Sequence, residues 1–223
     1  RMQIATATTE QKGMTRCPGR LESTVLENWN HSFIGRVATT VVLICITMPL
    51  YMWINHSLSP RFDLSIPLDA MIPFLPWTIF LYLSFYLMLL VAAGVCAAPE
   101  YGRIQKSVLL ANFLCYAGFF FFPSHYPRPL PMDAGALGGF YGWLYANDAP
   151  GNTFPSIHAA ASLCTGFSMR KIGWKIWGAG IAISILTVKQ HFIVDLIGGA
   201  AVAALSIWIV RLYEGQRFHE NRN

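Results

Sequence analysis

Charged residues are scarce in this chain of 223 residues. Asp, Glu, Lys and Arg together make up 12% of it, whereas 54% is hydrophobic. Mean hydropathy is +0.43 and the apolar residues form long runs, which excludes a water-soluble globular domain. Because a membrane-spanning helix needs roughly 20 mostly apolar residues, the length suffices for about six spans. We therefore expect an all-α, polytopic membrane protein with six transmembrane helices in one bundle.

Cysteines at paired spacings are also absent. The five cysteines lie at positions 17, 45, 96, 115 and 164, four of them inside or at the ends of apolar runs. This pattern implies neither a disulfide framework nor a metal-binding knuckle, so we interpret them as packing residues. The first 30 or so residues lack the apolar core of a signal peptide, and we expect no cleaved leader there.

The apolar runs and their polar connections divide the chain into segments. We expect a cytoplasmic N-terminal segment at residues 1–32, a membrane catalytic domain at 33–212 and a cytoplasmic tail at 213–223. The expected spans lie at about 37–54, 73–94, 108–122, 156–170, 174–188 and 191–210. The longest connection, 123–156, is rich in Gly, Pro and aromatic residues. Long loops on a compact scaffold are usually functional or disordered.

The net charge of +5 does not indicate a nucleic-acid partner, because the basic residues form short clusters between apolar runs. A basic turn at Arg103 and Lys106 and another at Arg170 and Lys171 fall on one face if the spans alternate. By the positive-inside rule this face is cytoplasmic and carries both termini, in a bacterial inner membrane or its equivalent. The opposite face collects the phosphate-compatible side chains, namely His125, Arg128, Ser156, His158, Lys189 and His191.

The stretch from Gly151 to His158, GNTFPSIH, is typical of a helix start. Asn152 or Thr153 is a possible N-cap ahead of an apolar run. A helix start presents unpaired backbone N–H groups and the positive end of the helix dipole, so it can bind a phosphate with Ser156 and His158 beside it. An ordinary capped helix at the membrane interface is the alternative.

A second stretch, KQHFIVDLIGG, contains His191 and Asp195 four residues apart. On a helix this spacing places both on one face, where the carboxylate can accept a hydrogen bond from one ring nitrogen and leave the other free. Such a pair acts as a base with its orienting group. The alternatives are a buried His satisfied by Asp for structure, and two ligands of a shared metal ion.

Phosphoryl transfer needs a nucleophile, an acid for the leaving oxygen and positive groups around the phosphoryl oxygens. Arg128 lies between Pro127 and Pro129, a stiff setting for its guanidinium, and Lys189 precedes His191 by two residues. Each cation alone is more often an interface residue that extends to the head groups. Together with the histidines and Asp195, they favour a phosphate site.

Three motifs carry a resemblance to a known family. FPSIHAA, KQHFIVDLIGG and YPRP resemble the motifs of the type 2 phosphatidic acid phosphatase superfamily. This resemblance implies six spans and an outer active site without cofactor or metal. It implies that His191 attacks phosphorus, Asp195 orients it and His158 protonates the leaving group. Arg128 and Ser156, with backbone N–H groups, would hold the phosphate.

Two positions depart from the motifs of that superfamily. Phe121 stands where the first motif usually has Lys, and Ile185 stands where the third usually has Arg. We expect Lys189 to replace one lost charge and His125 another. The segment HFIVDLIGG, with its missing Arg, is also similar to the inositol phosphorylceramide synthases, which are phosphotransferases.

The expected function is a membrane lipid phosphatase that hydrolyses a phosphomonoester or pyrophosphate on a lipid through a phosphohistidine. Its partners are a lipid phosphate and the bilayer. The alternative is a phosphotransferase that moves a phosphorylated head group to a lipid acceptor. A catalytically silent lipid-binding or transport relative and an intramembrane serine protease remain further alternatives. The protease is disfavoured because Ser156 and His158 are two residues apart, a spacing at which helical side chains diverge.

Overall fold

The computed structural model describes residues 31–220, with side chains up to residue 216. Of this described part, 77% is helical and none is β-strand, which confirms the predicted all-α fold. In it seven α-helices follow one another: α1 (Phe33–Ser57), α2 (Ile79–Val95), α3 (Ala98–Phe121), α4 (Gly138–Asn147), α5 (Ile157–Ser168), α6 (Ile172–Thr187) and α7 (Ile193–Glu220). Three 3-10 helices lie between them, at Pro67–Met71, Pro76–Thr78 and Pro131–Leu137. Most of the predicted N-terminal segment and the end of the predicted tail lie outside the described residues.

Four helices of the described part are long and apolar enough to cross a membrane, namely α1, Pro76–Val95, α3 and Ile193–Gln216. The helix α5 has 12 residues and α6 has 16. At 1.5 Å per residue they measure about 18 and 24 Å, less than a hydrocarbon core of about 30 Å. The chain is therefore an integral membrane protein, but the prediction of six spanning helices is not confirmed.

The third helix begins earlier than the apolar run that predicted it. It starts at Ala98, with Pro99 in its first turn and Glu100 beside the positive end of the helix dipole. Proline and acidic side chains are both favourable at that end of a helix. Arg103 and Lys106 therefore lie on α3 itself, which corrects the prediction of a basic turn at these residues.

One end of the bundle joins the start of α1 to the end of α2 and the start of α3 to the end of α7. Arg36 donates from Nε to the carbonyl of Ala93 at 2.8 Å. Lys106 donates from Nζ to Glu214 at 2.9 Å. The exposed Lys171, between α5 and α6, belongs to this end as well, since Cys96 and Met169 are in contact there. We call it the basic end.

The opposite end joins the other helix termini and carries the motifs. Leu75, before α2, donates its N–H to the carbonyl of Thr187 at the end of α6, at 2.9 Å. Arg61, after α1, donates its N–H to the carbonyl of Pro123, after α3, at 2.7 Å. We call this end the motif end. The predicted segregation of the basic clusters from the motifs is thus a property of the fold.

The short helix α5 lies at the centre of the bundle and packs against α2, α3, α6 and α7. Most of its residues are small and buried, including Ala159, Ala160 and Ala161. A Cβ at Gly178 on α6 would lie 2.6 Å from the carbonyl oxygen of Ser162. The two backbones therefore approach closely, which small residues allow in membrane helix packing.

The long connection after α3 is ordered by the helix α4. The glycines of α4, at positions 138, 139 and 142, lower its intrinsic helix propensity, so the sequence did not predict this helix. The hydroxyl of Tyr141 donates to the carbonyl of Pro76 at 3.1 Å, so α4 is attached to the segment that precedes α2. This attachment places α4 at the motif end, above the cavity described next.

Candidate active site

A cavity of about 310 Å³ opens among α1, α2, α3 and α4 and contains both predicted catalytic histidines. His158 and His191 line it together with the polar residues Asp148 and Asn152 of the motif end. On α3 its lining extends from Phe119 down to Val108, about three helical turns. The cavity thus has a polar end with two histidines and an apolar shaft within the bundle.

Backbone contacts join the two strongest motifs of the sequence. The N–H of Ser156, at the start of α5, donates to the carbonyl of Asp195 in the first turn of α7, at 3.2 Å. A Cβ at Gly199 would lie 2.6 Å from the carbonyl oxygen of Ser156, so only glycine permits this approach. The glycine pair that follows Asp195 therefore brings His191 to the start of α5.

A hydrogen bond fixes the tautomer of His191. Its Nδ1 lies 2.9 Å from the carbonyl oxygen of Thr153 and 3.4 Å from a carboxylate oxygen of Asp195. Both partners accept only, so Nδ1 carries the proton and Nε2 keeps its lone pair. The closer partner is the Thr153 carbonyl, which the sequence did not reveal as the orienting group.

Asp195 is fully buried, and its carboxylate also caps the start of α7. Its Oδ2 accepts the N–H of Phe192 at 2.8 Å, which caps α7. Because α7 begins at Ile193, His191 precedes the helix, and the prediction that both residues lie on one helix face is wrong. The carboxylate still lies beside the ring, where it stabilises positive charge on the imidazole.

His158 is enclosed by aromatic side chains of α2. Its ring stacks on Tyr82 with centroids 4.2 Å apart and lies 5.0 Å from the ring of Phe85. The hydroxyl of Tyr82 is 3.3 Å from Nδ1 of His158. Tyr82, which the sequence analysis did not single out, thus fixes the orientation of the ring that faces the cavity.

Ser156 is the N-cap of α5, a role that the sequence analysis gave to Asn152 or Thr153. Its Oγ accepts the N–H of Ala159 at 3.4 Å, and the residue is fully buried. It does not line the cavity. The predicted contact of Ser156 with phosphate is therefore not visible in the geometry, whereas Ile157 and His158 of the same helix start do face the cavity.

Arg128 lies close to the cavity but is held in an ion pair. Its Nη2 donates to Oδ2 of Asp148 at 2.8 Å, and its Nη1 donates to the carbonyl of the same residue. The guanidinium also lies 4.9 Å from the centre of the Tyr145 ring. Arg128 does not line the cavity, whereas Asp148 does.

Lys189 lies at a different pocket, which it shares with Tyr126 and Phe192. Its Nζ donates to the carbonyl of Asp69 at 3.1 Å. Burial lowers the pKa of the Lys189 ammonium, and the Asp69 carboxylate opposes that shift. The structure does not bring Lys189 to the histidines, so its predicted contact with the phosphate has no support from this geometry.

The remaining predicted positions also lie apart from the cavity. His125 does not line it, and its buried Nδ1 has no hydrogen-bond partner within the described residues. Phe121 points outward with 72% of its surface exposed, and Ile185 is fully buried in the core. No Lys or Arg of the described residues lines the cavity. Among residues 31–220, no cluster of three or more His, Cys, Asp or Glu suits a metal ion.

Comparison with known families agrees with this arrangement. Residues 74–209 match the family model of the PAP2 superfamily. The chain belongs to the PAP2 superfamily. The matched range includes α2 to α6, most of α7 and all seven predicted site residues. No curated protein and no solved structure matches the chain.

Membership of the PAP2 superfamily confirms the resemblance inferred from the motifs, and it indicates a phosphatase or phosphotransferase. The similarity to inositol phosphorylceramide synthases stays a prediction. The sequence analysis missed Tyr82 and Asp148 at the site of this PAP2 protein, and it named Thr153 only as a possible N-cap. Asp148 had one visible signal, since it is an acidic residue in the long connection and lies three residues before the start of the motif GNTFPSIH.

Replacing Asp195 by Asn tests the charge beside His191 in this PAP2 protein. The amide oxygen can still cap α7, but it no longer stabilises a cationic ring, so we expect turnover to fall about a hundredfold or more. Asp69→Asn is the matched control, because Asp69 accepts the N–H of Ile193 at 2.8 Å without contacting His191. Equal losses of turnover in both folded variants would show that only the helix cap matters.

Proposed function

We propose that this protein cleaves a phosphate ester or anhydride on a membrane lipid through a phosphohistidine at His191. The observation that supports this most is the hydrogen bond from Nδ1 of His191 to the Thr153 carbonyl. It leaves Nε2 with a free lone pair in the cavity that also holds His158. A nucleophile and an acid in one cavity meet the needs of phosphoryl transfer.

The first step forms the covalent intermediate. The lone pair of Nε2 of His191 attacks phosphorus, and the bond between phosphorus and the lipid oxygen breaks. The electron pair goes to that oxygen, which takes a proton from His158. His191 then carries phosphorus on Nε2 and a proton on Nδ1, so its ring is cationic. The Asp195 carboxylate, 3.4 Å from Nδ1, stabilises this charge.

The second step releases the phosphoryl group. A water molecule attacks phosphorus, gives a proton to His158, and the bond between nitrogen and phosphorus breaks with its electron pair returning to Nε2. The products are a lipid alcohol and a phosphate, and both histidines regain their first state. We propose that backbone N–H groups in the first turn of α5, those of Ile157 and His158, stabilise the phosphoryl oxygens.

Transfer to a lipid alcohol is the second candidate, with the alcohol in place of water in the second step. The observation that favours it is the loss of both motif cations, since Phe121 points outward and Ile185 lies in the core. The similarity to inositol phosphorylceramide synthases depends on the same loss.

A lipid substrate is supported by the shape of the cavity. Its polar end holds the histidines, whereas residues such as Leu89 and Val108 line the shaft farther into the bundle. A phosphate at the histidines would leave the hydrocarbon chains in that apolar shaft, where their burial is favourable. We propose that α5 and α6 complete six membrane crossings together with their flanking connections.

The experiment that tests this function is a panel of lipid phosphates offered to the purified protein. Phosphatidate, phosphatidylglycerol phosphate, undecaprenyl pyrophosphate and a phosphoinositide are scored for released phosphate, with and without EDTA and a lipid alcohol. We expect turnover of at least one lipid. EDTA should leave this turnover nearly unchanged, because side chains and a helix start, in place of a metal ion, stabilise the charge on the phosphoryl oxygens. Activity lost to EDTA and restored by one divalent ion would replace this mechanism with a metal-dependent one.

We propose that the motif end faces the non-cytoplasmic side and that both termini are cytoplasmic, because the basic clusters lie at the other end. Asp133 and Lys171 are exposed at opposite ends of the bundle. In intact cells we expect a membrane-impermeant thiol reagent to label Asp133→Cys but not Lys171→Cys. The reverse pattern would place the active site in the cytoplasm.

A further inference from the structure

An acidic side chain stands at the polar end of the cavity. Asp148 directly follows α4 and lines the cavity together with His158 and His191. Of the described residues that line this cavity, it alone is an Asp, Glu, Lys or Arg. A carboxylate is an unexpected neighbour for a bare phosphate group, because two anions repel each other at close range.

The carboxylate of Asp148 is held in place by three donors. Its Oδ1 accepts from the hydroxyl of Tyr51 at 3.2 Å and from Nδ2 of Asn55 at 2.9 Å. Its Oδ2 accepts from Nη2 of Arg128 at 2.8 Å. A carboxylate offers about four acceptor positions, so one position remains for a ligand in the cavity.

Arg128, the other partner of this ion pair, is also held by hydrogen bonds. It donates to the backbone carbonyls of Asp148 and Ala149 as well as to the carboxylate. The Asp148 side chain is 19% exposed and the Arg128 side chain 10%. The pair therefore presents its carboxylate to the cavity, and the guanidinium is used to fix that carboxylate.

A neutral acceptor lies deeper in the same cavity. Asn112 on α3 lines the cavity, and its buried Oδ1 has no hydrogen-bond partner among the described residues. A ligand that donates hydrogen bonds would satisfy the free acceptor position of the Asp148 carboxylate. A ligand that only accepts hydrogen bonds, such as a phosphate dianion, would not.

We infer that Asp148 is a specificity-determining residue, which selects lipids whose phosphate carries a hydrogen-bond-donating head group over lipids with a bare terminal phosphate. This inference rests on the function proposed above, since the same histidines cleave the ester. In the reaction His191 takes the phosphorylated head group, the bond to the lipid oxygen breaks, and His158 protonates the released lipid alcohol. Water then frees the head-group phosphate, as in the steps above.

The test compares four lipids with the same acyl chains: phosphatidylglycerol, phosphatidylethanolamine, phosphatidylcholine and phosphatidate. Cleavage releases diacylglycerol from each of them, so the amount of this one product measures the cleavage of every lipid. We expect the glycerol and ethanolamine lipids, whose head groups donate hydrogen bonds, to have a higher kcat/KM than phosphatidate. Phosphatidylcholine, whose cation has no donor, separates hydrogen bonding from charge and should be cleaved less than phosphatidylethanolamine.

Asp148→Asn should lower the ratio of kcat/KM for phosphatidylglycerol to that for phosphatidate by about tenfold or more, the effect of losing a hydrogen bond to a charged group. Because this variant leaves Arg128 without its ionic partner, the double variant Arg128→Gln/Asp148→Asn provides a neutral pair and should lower the ratio as well. Asp133→Asn is the matched control, since Asp133 caps Leu130 in the same outer connection and should keep the ratio.

The outcomes separate the two proposals. Diacylglycerol from phosphatidate alone, or a ratio that stays constant in both Asp148 variants, would overturn the specificity role and leave the cleavage mechanism in place. A parallel loss on all four lipids in both variants would assign the ion pair to the fold or to phosphate binding and would also overturn it. No diacylglycerol from any of the four lipids, together with no phosphate released from the wider panel, would overturn the proposed function itself.

Discussion

We expect His191→Ala to abolish lipid cleavage, with turnover reduced by a factor on the order of 10⁴ or more. Among the described residues that line the cavity, the other imidazole is that of His158, to which we assign the acid, so binding and charge stabilisation alone remain. His191→Asn sharpens the test, because an amide nitrogen can still donate to the Thr153 carbonyl. Both variants are measured by release of lipid alcohol and by thermal stability in detergent.

The matched control for this prediction is His56→Ala. His56 is exposed at the end of α1 and does not line the cavity, so its loss should leave turnover near that of the wild type. A radiolabelled substrate phosphate should also label the wild-type protein with an acid-labile, alkali-stable phosphohistidine that His191→Asn lacks. Phosphate release at the wild-type rate from folded His191→Asn would exclude the mechanism.

His158→Ala should reduce turnover by roughly 10² to 10⁴, the contribution of a general acid in many enzymes. The loss should depend on the leaving group. A lipid alkoxide is a poor leaving group and needs the proton from His158, whereas p-nitrophenolate leaves without one. We therefore expect His158→Ala to retain most of the rate of the first step, measured as the initial burst of p-nitrophenolate, toward a p-nitrophenyl ester of the same phosphorylated head group.

This dependence separates acid catalysis from packing. The ring of His158 stacks on Tyr82 and fills space between α2 and α5, so its removal also costs stability. Phe85→Leu is a suitable control, because it disturbs the same aromatic enclosure and leaves the imidazole in place. Equal losses of the first-step rate on both substrates for His158→Ala would assign His158 to structure and contradict its role as the acid.

Local chemistry explains what the sequence predicted well. Long apolar runs are sufficient to indicate membrane helices, because each helix satisfies its own backbone hydrogen bonds in lipid. The motifs FPSIHAA and KQHFIVDLIGG are short enough that their residues stay together in any fold, and they identified the PAP2 superfamily. His158 and His191 were predicted for this reason, and both line the cavity.

Helix boundaries were predicted less well, because they depend on single capping contacts. The spacing of His191 and Asp195 indicated one helix face, but Asp195 accepts the N–H of Phe192 and starts α7 after His191. Likewise, hydropathy placed the start of the third span at Val108, whereas Pro99 and Glu100 start α3 ten residues earlier, at Ala98. A hydropathy pattern does not contain these hydrogen bonds.

The sequence by itself determined the membrane class, the superfamily and the pair of histidines. Only the tertiary structure decided that neither predicted cation, Arg128 or Lys189, lines the cavity. Arg128 is paired with Asp148, and Lys189 reaches Asp69, 120 positions earlier in the chain. Long flexible side chains near one membrane face have several possible partners, and packing of distant segments selects among them. For the same reason the Thr153 carbonyl, which no side-chain motif encodes, orients His191.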